Sequence, residues 1–224
     1  MTPGKTALGL IKIILFMLCL TPALLLWRAL EMDSLGAKPL EALTRATGEW
    51  TLRFLLVTLA VTPLRKLSGW HWILRLRRML GLFTFAYGTV HLATYAWLDK
   101  RFDWHAIAGD LLERPFIAVG FAALALMTLL AATSSNFAIR KLGGRRWQSL
   151  HRAIYPIALL GCVHFWGMVK KDVTEPLIYS AIVIVLLGLR MGWREQERRK
   201  QLAGAYLPRP PALKGKVIKI FESP

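Results

Sequence analysis

Long apolar runs separated by short basic segments set the pattern of this chain. Crossing a hydrocarbon core of about 30 Å takes about 20 mostly apolar residues in an α-helix, each rising about 1.5 Å. Six segments approach that length: Leu8–Leu30, Trp50–Leu64, Met79–Leu98, Pro115–Thr133, Leu150–Val169 and Pro176–Trp193. The expected fold is therefore all-α, a polytopic membrane bundle of about six transmembrane helices. The second run is short and carries Arg53 near one end, and the first carries Lys12; both side chains can snorkel to the interface. Pro115 and Pro176 suit a first helical turn, where a missing N–H costs nothing, whereas Pro22 and Pro156 fall inside runs and predict kinks.

Lysine and arginine fix the expected orientation. With the loops taken alternately, twenty of them gather on one side, including Lys5, Arg65, Arg75, Arg77, Arg78, Arg140, Arg145 and Arg146, and eight on the other. The positive-inside rule then puts both termini in the cytoplasm. The chain divides into a cytoplasmic N-terminus (1–7), a transmembrane domain (8–193) and a basic, Pro-rich cytoplasmic tail (194–224). A formal charge of +17 would suit nucleic acid, but the basic residues interrupt apolar runs instead of lining one polar face, so no nucleic-acid partner is expected. Membrane lipid is the partner that this pattern implies. At 55% hydrophobic and 19% charged residues, the composition agrees.

Lys5 before an apolar stretch resembles a signal peptide, yet the stretch is too long for an h-region and no small-x-small cleavage site follows; it reads as a first anchor. Cys19 and Cys162 lie within apolar runs as buried free thiols. No Gly-rich fingerprint follows a strand pattern, and the tail is too short for a nucleotide-binding domain.

Candidate chemistry concentrates on histidine. His91, His151 and His164 fall inside predicted spans, where ionisable groups are costly and mark cofactors, proton paths or ion sites. Entering from the cytoplasm, helix three carries His91 about 18 Å along its axis and helix five carries His164 about 21 Å along its own. Two imidazoles at one depth on parallel helices would clamp one haem through its iron. The plain alternative is that each only hydrogen-bonds a neighbouring helix. No carboxylate or thiol at that depth completes a metal-ion set. His151 sits about 20 Å from His164 along the axis, far enough to separate two stacked cofactors. The matching positions on helix three are Arg77 and Arg78, which suit a haem propionate, a flavin phosphate or a quinone better than iron. They equally suit plain positive-inside charge.

The stretches Arg77–Tyr95 (RRMLGLFTFAYGTVHLATY) and Trp147–Lys170 (WQSLHRAIYPIALLGCVHFWGMVK) resemble the MsrQ family, the haem-binding membrane subunits of periplasmic methionine sulfoxide reductase systems. Thr47–Arg65 and Glu175–Arg190 extend the likeness to nearly all of the chain except the tail. The resemblance implies a ferric-reductase-like transmembrane fold in a bacterial inner membrane and haem b associated with His91, His151 and His164. It further implies a bound FMN, electrons drawn from the quinone pool or a flavin donor, and a periplasmic molybdopterin-containing catalytic partner. The wider ferric-reductase and NADPH-oxidase superfamily has two histidines on each of two helices and a cytoplasmic dehydrogenase domain. Arginine at the fourth position and the short tail depart from that, so one haem is expected, and His151 leaves a second open. Two other readings stand beside this one: a stand-alone ferric or quinone reductase, and a transporter or structural membrane anchor whose histidines relay protons or pack.

Overall fold

The computed structural model describes residues 3–169 and 171–206, and these are helical or irregular with no strand among them. Lys170 and residues 207–224, including Pro208, Pro210, Pro211 and the Lys-rich end of the expected tail, lie outside the described residues. The helices are α1 (Lys5–Glu31), α2 (Pro39–Ser68), α3 (Arg77–Ala93), α4 (Trp104–Glu113), α5 (Pro115–Ala132), α6 (Asn136–Leu142), α7 (Gly144–Leu150), α8 (Ile154–Met168) and α9 (Thr174–Tyr206). Among the described residues, three stretches are long and apolar enough to cross a membrane: Lys5–Glu31, Pro115–Ala132 and Thr174–Ala203. The helix over the second expected span is twice as long as the apolar run, because α2 begins at Pro39, a proline in its first turn, and ends at the left-handed cap Gly69.

The described residues fall into two compact units that divide between Leu187 and Gly188. In the first, α2 packs along α3 and α5 along α8, and the pairs meet where α3 touches α5 and α2 touches α8. Leu52, Leu55, Leu56 and Leu59 of α2 interdigitate with Ile157, Ala158 and Cys162 of α8 and with Val183 of α9. Small residues at Ala158 and Cys162 let these helices approach closely, which is how apolar helices associate when lipid offers them no hydrophobic gain. A second cluster joins Cys19 of α1 and Phe54 and Val61 of α2 to Leu80 and Tyr87 of α3. In the second unit Glu195 pairs with Arg198 at 2.9 Å and Arg199 at 3.0 Å, the i,i+3 and i,i+4 pairs of an exposed helical face.

Both expected proline interruptions have a local structure. In α1 the hydroxyl of Tyr87 accepts from the amide of Ala23 and donates to the carbonyl of Cys19, each at 2.9 Å. An uninterrupted helix would pair that donor with that acceptor, so a side chain enters the backbone ladder beside Pro22. At the other site the run expected over Leu150–Val169 is divided. The chain turns through a 3-10 segment, His151–Ala153, between α7 and α8. Pro156 offers no N–H to the carbonyl of Arg152 and its ring crowds that oxygen, which accounts for the break at this place.

Candidate functional site

His91 near the end of α3 and His164 in α8 face one another with ring centroids 6.0 Å apart and ring planes at 81°. Each imidazole is tethered in the same way. His91 Nδ1 donates to the carbonyl of Thr44 in α2 at 2.8 Å, and His164 Nδ1 donates to the carbonyl of Phe116 in α5 at 2.7 Å. A carbonyl only accepts, so both Nδ1 atoms carry protons, and in a neutral ring with this tautomer Nε2 is the nitrogen whose lone pair is free to bind a metal. That is the tautomer a metal-ligating histidine adopts when its second nitrogen is held by a backbone oxygen.

The donor set and its spacing fit a haem iron. Two metal–imidazole bonds of about 2.0 Å, with roughly 1.1 Å from each nitrogen to its ring centre, set the centroids of a linear bis-imidazole unit roughly 6 Å apart. Among the described residues no group of three or more His, Cys, Asp and Glu is placed to hold a bare metal ion.

Glycine makes the tethers accessible, and the sequence reasoning missed it. Gly48 stands four residues after Thr44, and Gly120 stands four residues after Phe116. In a helix the side chain at i+4 lies over the carbonyl of residue i, so glycine there uncovers the oxygen. A Cβ on Gly48 would lie 3.0 Å from His91 Cε1, and one on Gly120 would lie 2.8 Å from both Cε1 and Nδ1 of His164. The signal was present as a glycine one helical turn after each acceptor, but only the fold tells which carbonyl meets which histidine.

His151 belongs to another station. Its Nδ1 donates to the carbonyl of Trp147 at 3.1 Å, its ring stacks on Trp147 at 3.9 Å, and its Nε2 stands 3.5 Å from Ser134 Oγ. Trp147 in turn donates to the carbonyl of Thr133 at 2.8 Å. Arg77 lies close enough to act electrostatically on His151. Arg78 turns to α6, where it donates to Asn136 Oδ1 at 2.9 Å. Of the five candidate residues, then, the fold brings His91 to His164, sets Arg77 near His151, and engages Arg78 with a neighbouring helix.

An all-helical bundle with a facing imidazole pair inside it is the architecture of a ferric-reductase-type membrane component. Residues 47–162 match the ferric reductase like transmembrane component family. The chain is 56% identical over 214 residues to the protein-methionine-sulfoxide reductase heme-binding subunit MsrQ of Azospira oryzae, covering 94% of this chain and 90% of that one. The proteins of the same name from Herminiimonas arsenicoxydans (49%, covering 90% of this chain and 93% of that one) and Ralstonia nicotianae (48%, covering 93% and 97%) are similarly close. This chain belongs to the MsrQ family. No solved structure matches it.

Proposed function

We propose that this protein is the membrane electron-transfer subunit of a methionine sulfoxide reductase, holding haem b between His91 and His164. The supporting observation is the facing pair of Nδ1-tethered imidazoles at 6.0 Å. When bound, haem supplies one-electron redox chemistry, and the protein supplies its position and potential. Thr44 and Phe116 fix the tautomer and angle of the two rings, and Gly48 and Gly120 admit them to the carbonyls.

In this reading the chain spans a bacterial inner membrane about six times with both termini cytoplasmic. The electron donor, a quinol or a flavin such as FMN, approaches the His151, Arg77 and Arg78 station, whose cations suit a propionate, a flavin phosphate or a quinone oxygen. The acceptor is a periplasmic molybdopterin-containing catalytic subunit that docks near 99–114 and the loop ahead of α9. The relatives' names favour a dedicated reductase partner over a stand-alone ferric or quinone reductase.

The test is haem quantification on the purified full-length protein and on its His91→Ala and His164→Ala variants. Loss of the b-type absorbance in each is the expected result, and full haem content in both would overturn the ligand assignment.

A further inference from the structure

Beyond the ligands lies a carboxylate that joins the two helices on which the imidazole pair depends. The end of α3 loosens into a π-helical turn, Thr94–Asp99, and the chain then reverses through Arg101 and Phe102, both in the left-handed region at φ 49° and 58°. Non-glycine residues hold that conformation only where their surroundings impose it. Here the turn's own backbone imposes it, Arg101 N–H donating to the Trp97 carbonyl at 3.1 Å and Phe102 N–H to that of Ala96 at 2.8 Å. Beside the π-helical turn stands Asp110 of α4, buried although charged. Its Oδ2 accepts from Tyr95 Oη at 2.8 Å and from Lys100 Nζ at 2.6 Å, and its Oδ1 stands 3.6 Å from Arg114 Nε.

These partners lie on different elements. Tyr95 is one turn beyond His91, Lys100 closes the π-helical turn, and Arg114 is the residue from which α5 starts. Two residues after Arg114, the carbonyl of Phe116 holds His164, and the Tyr95 ring meets Phe121, the neighbour of Gly120, edge-on at 6.4 Å. One carboxylate therefore ties the last turn before the loop on the His91 side to the first turn of the helix that orients His164. A charge held in the interior by three hydrogen-bonding or ionic partners is costly to disturb, because removing it leaves Lys100 and Tyr95 without their acceptor.

We propose that Asp110 is a positioning residue for the imidazole pair: it sets the separation and mutual angle of His91 and His164 by clamping α3 to α5 through Tyr95, Lys100 and Arg114. The proposal rests on the reading of those histidines as haem ligands. It concerns their geometry only, since Asp110 touches neither ring.

The experiment compares full-length wild type with Asp110→Asn, Tyr95→Phe and the exposed control Glu113→Gln, each purified in detergent. The readouts are haem content, the low-spin ferric EPR signature and the midpoint potential. Axial imidazole angle governs the EPR anisotropy, so a displaced pair moves it even where haem is retained. The expected result is a changed EPR signature and a shifted potential in Asp110→Asn, with about tenfold weaker haem retention, the lower end for loss of a supporting partner. Tyr95→Phe removes one hydrogen bond and keeps the ring on Phe121, so it shifts the same readouts less, and Glu113→Gln matches wild type. Should Asp110→Asn prove too unstable to purify, Tyr95→Phe alone decides: an unchanged EPR signature and potential in it overturns the proposal. Unchanged spectra in a purified Asp110→Asn do the same. Absence of haem from the wild type would instead overturn the ligand reading itself, so the two failures are distinguishable.

Discussion

Gly120 of α5 lies directly against the ring of His164, where a methyl group would come within 2.8 Å of Cε1 and Nδ1. The ring cannot simply swing away, because its Nδ1 is held on the Phe116 carbonyl at 2.7 Å. Gly120→Ala is therefore expected to break that tether and lower haem content at least as much as loss of an outer-shell partner does, about 10- to 100-fold in affinity. Gly48→Ala meets His91 at the wider 3.0 Å, and a small ring shift accommodates it. Haem titration of the two apo-proteins checks the order, and equal affinities in Gly120→Ala and wild type would refute it.

Tyr87 makes a different prediction, about stability. Its hydroxyl enters the α1 ladder at Ala23 and Cys19, while its ring packs on Phe54 at a centroid distance of 5.0 Å. Removing the hydroxyl lets the backbone donor and acceptor find one another again, so Tyr87→Phe is expected to cost about 1 kcal/mol or less. Removing the ring leaves a cavity between α1, α2 and α3, and Tyr87→Ala is expected to cost about 3–5 kcal/mol. Unfolding in mixed detergent micelles would show whether the ring outweighs the hydroxyl.

The clamp at Asp110 also has a pH signature. The hydrogen-bonded Lys100 ammonium, then the Tyr95 hydroxyl and the nearby Arg114 charge, together hold its carboxyl below the ordinary aspartate value of 3.8 despite burial. A depressed folded value means that the clamp's contribution is fully present above that ordinary value and disappears as pH falls through the lower, folded one. Protease accessibility of the 99–114 segment is therefore expected to stay constant from pH 7 to about 5 and to rise only below about 4. A rise near neutral pH would show that another group controls the segment.

How much of this was legible in the chain depends on what each feature needs. Apolar runs and the basic segments between them report helices directly, because each helix must cover its own backbone in lipid. The depth argument for His91 and His164 needed only the rise per residue, and in the fold their rings face one another. Thr44 and Phe116 were invisible, since they act through backbone oxygens and any residue type has one. Asp110 carries no signal in the sequence, because two of its partners, Tyr95 and Lys100, are 15 and 10 residues away and meet it only through the reversed turn at Arg101 and Phe102. The longer α2 escaped because its first turns are polar and bear no membrane signal.

The last prediction separates the two histidine stations. Pro156 denies a hydrogen bond to the carbonyl of Arg152, and the 3-10 turn His151–Ala153 that results sets the direction of the His151 ring. His151 stacks on Trp147 as its i,i+4 neighbour at the end of α7, and its Nε2 stands toward Ser134. With alanine at 156 the bond can form, and α7 and α8 are expected to run on as one helix, carrying the His151–Trp147 pair away from Ser134 while its i,i+4 stacking persists. His164 lies eight residues further on, in the body of α8 and held by α5, so its tether to Phe116 should persist. Pro156→Ala and His151→Ala are thus both expected to keep the absorbance that depends on His91 and His164 while slowing reduction by an added quinol. Tryptophan fluorescence adds a local readout, because the Trp147 ring loses its stacked neighbour in His151→Ala and keeps it in Pro156→Ala. Loss of the whole b-type spectrum in His151→Ala would mean that the stations are one site, and unchanged quinol kinetics in both variants would remove His151 from the donor end.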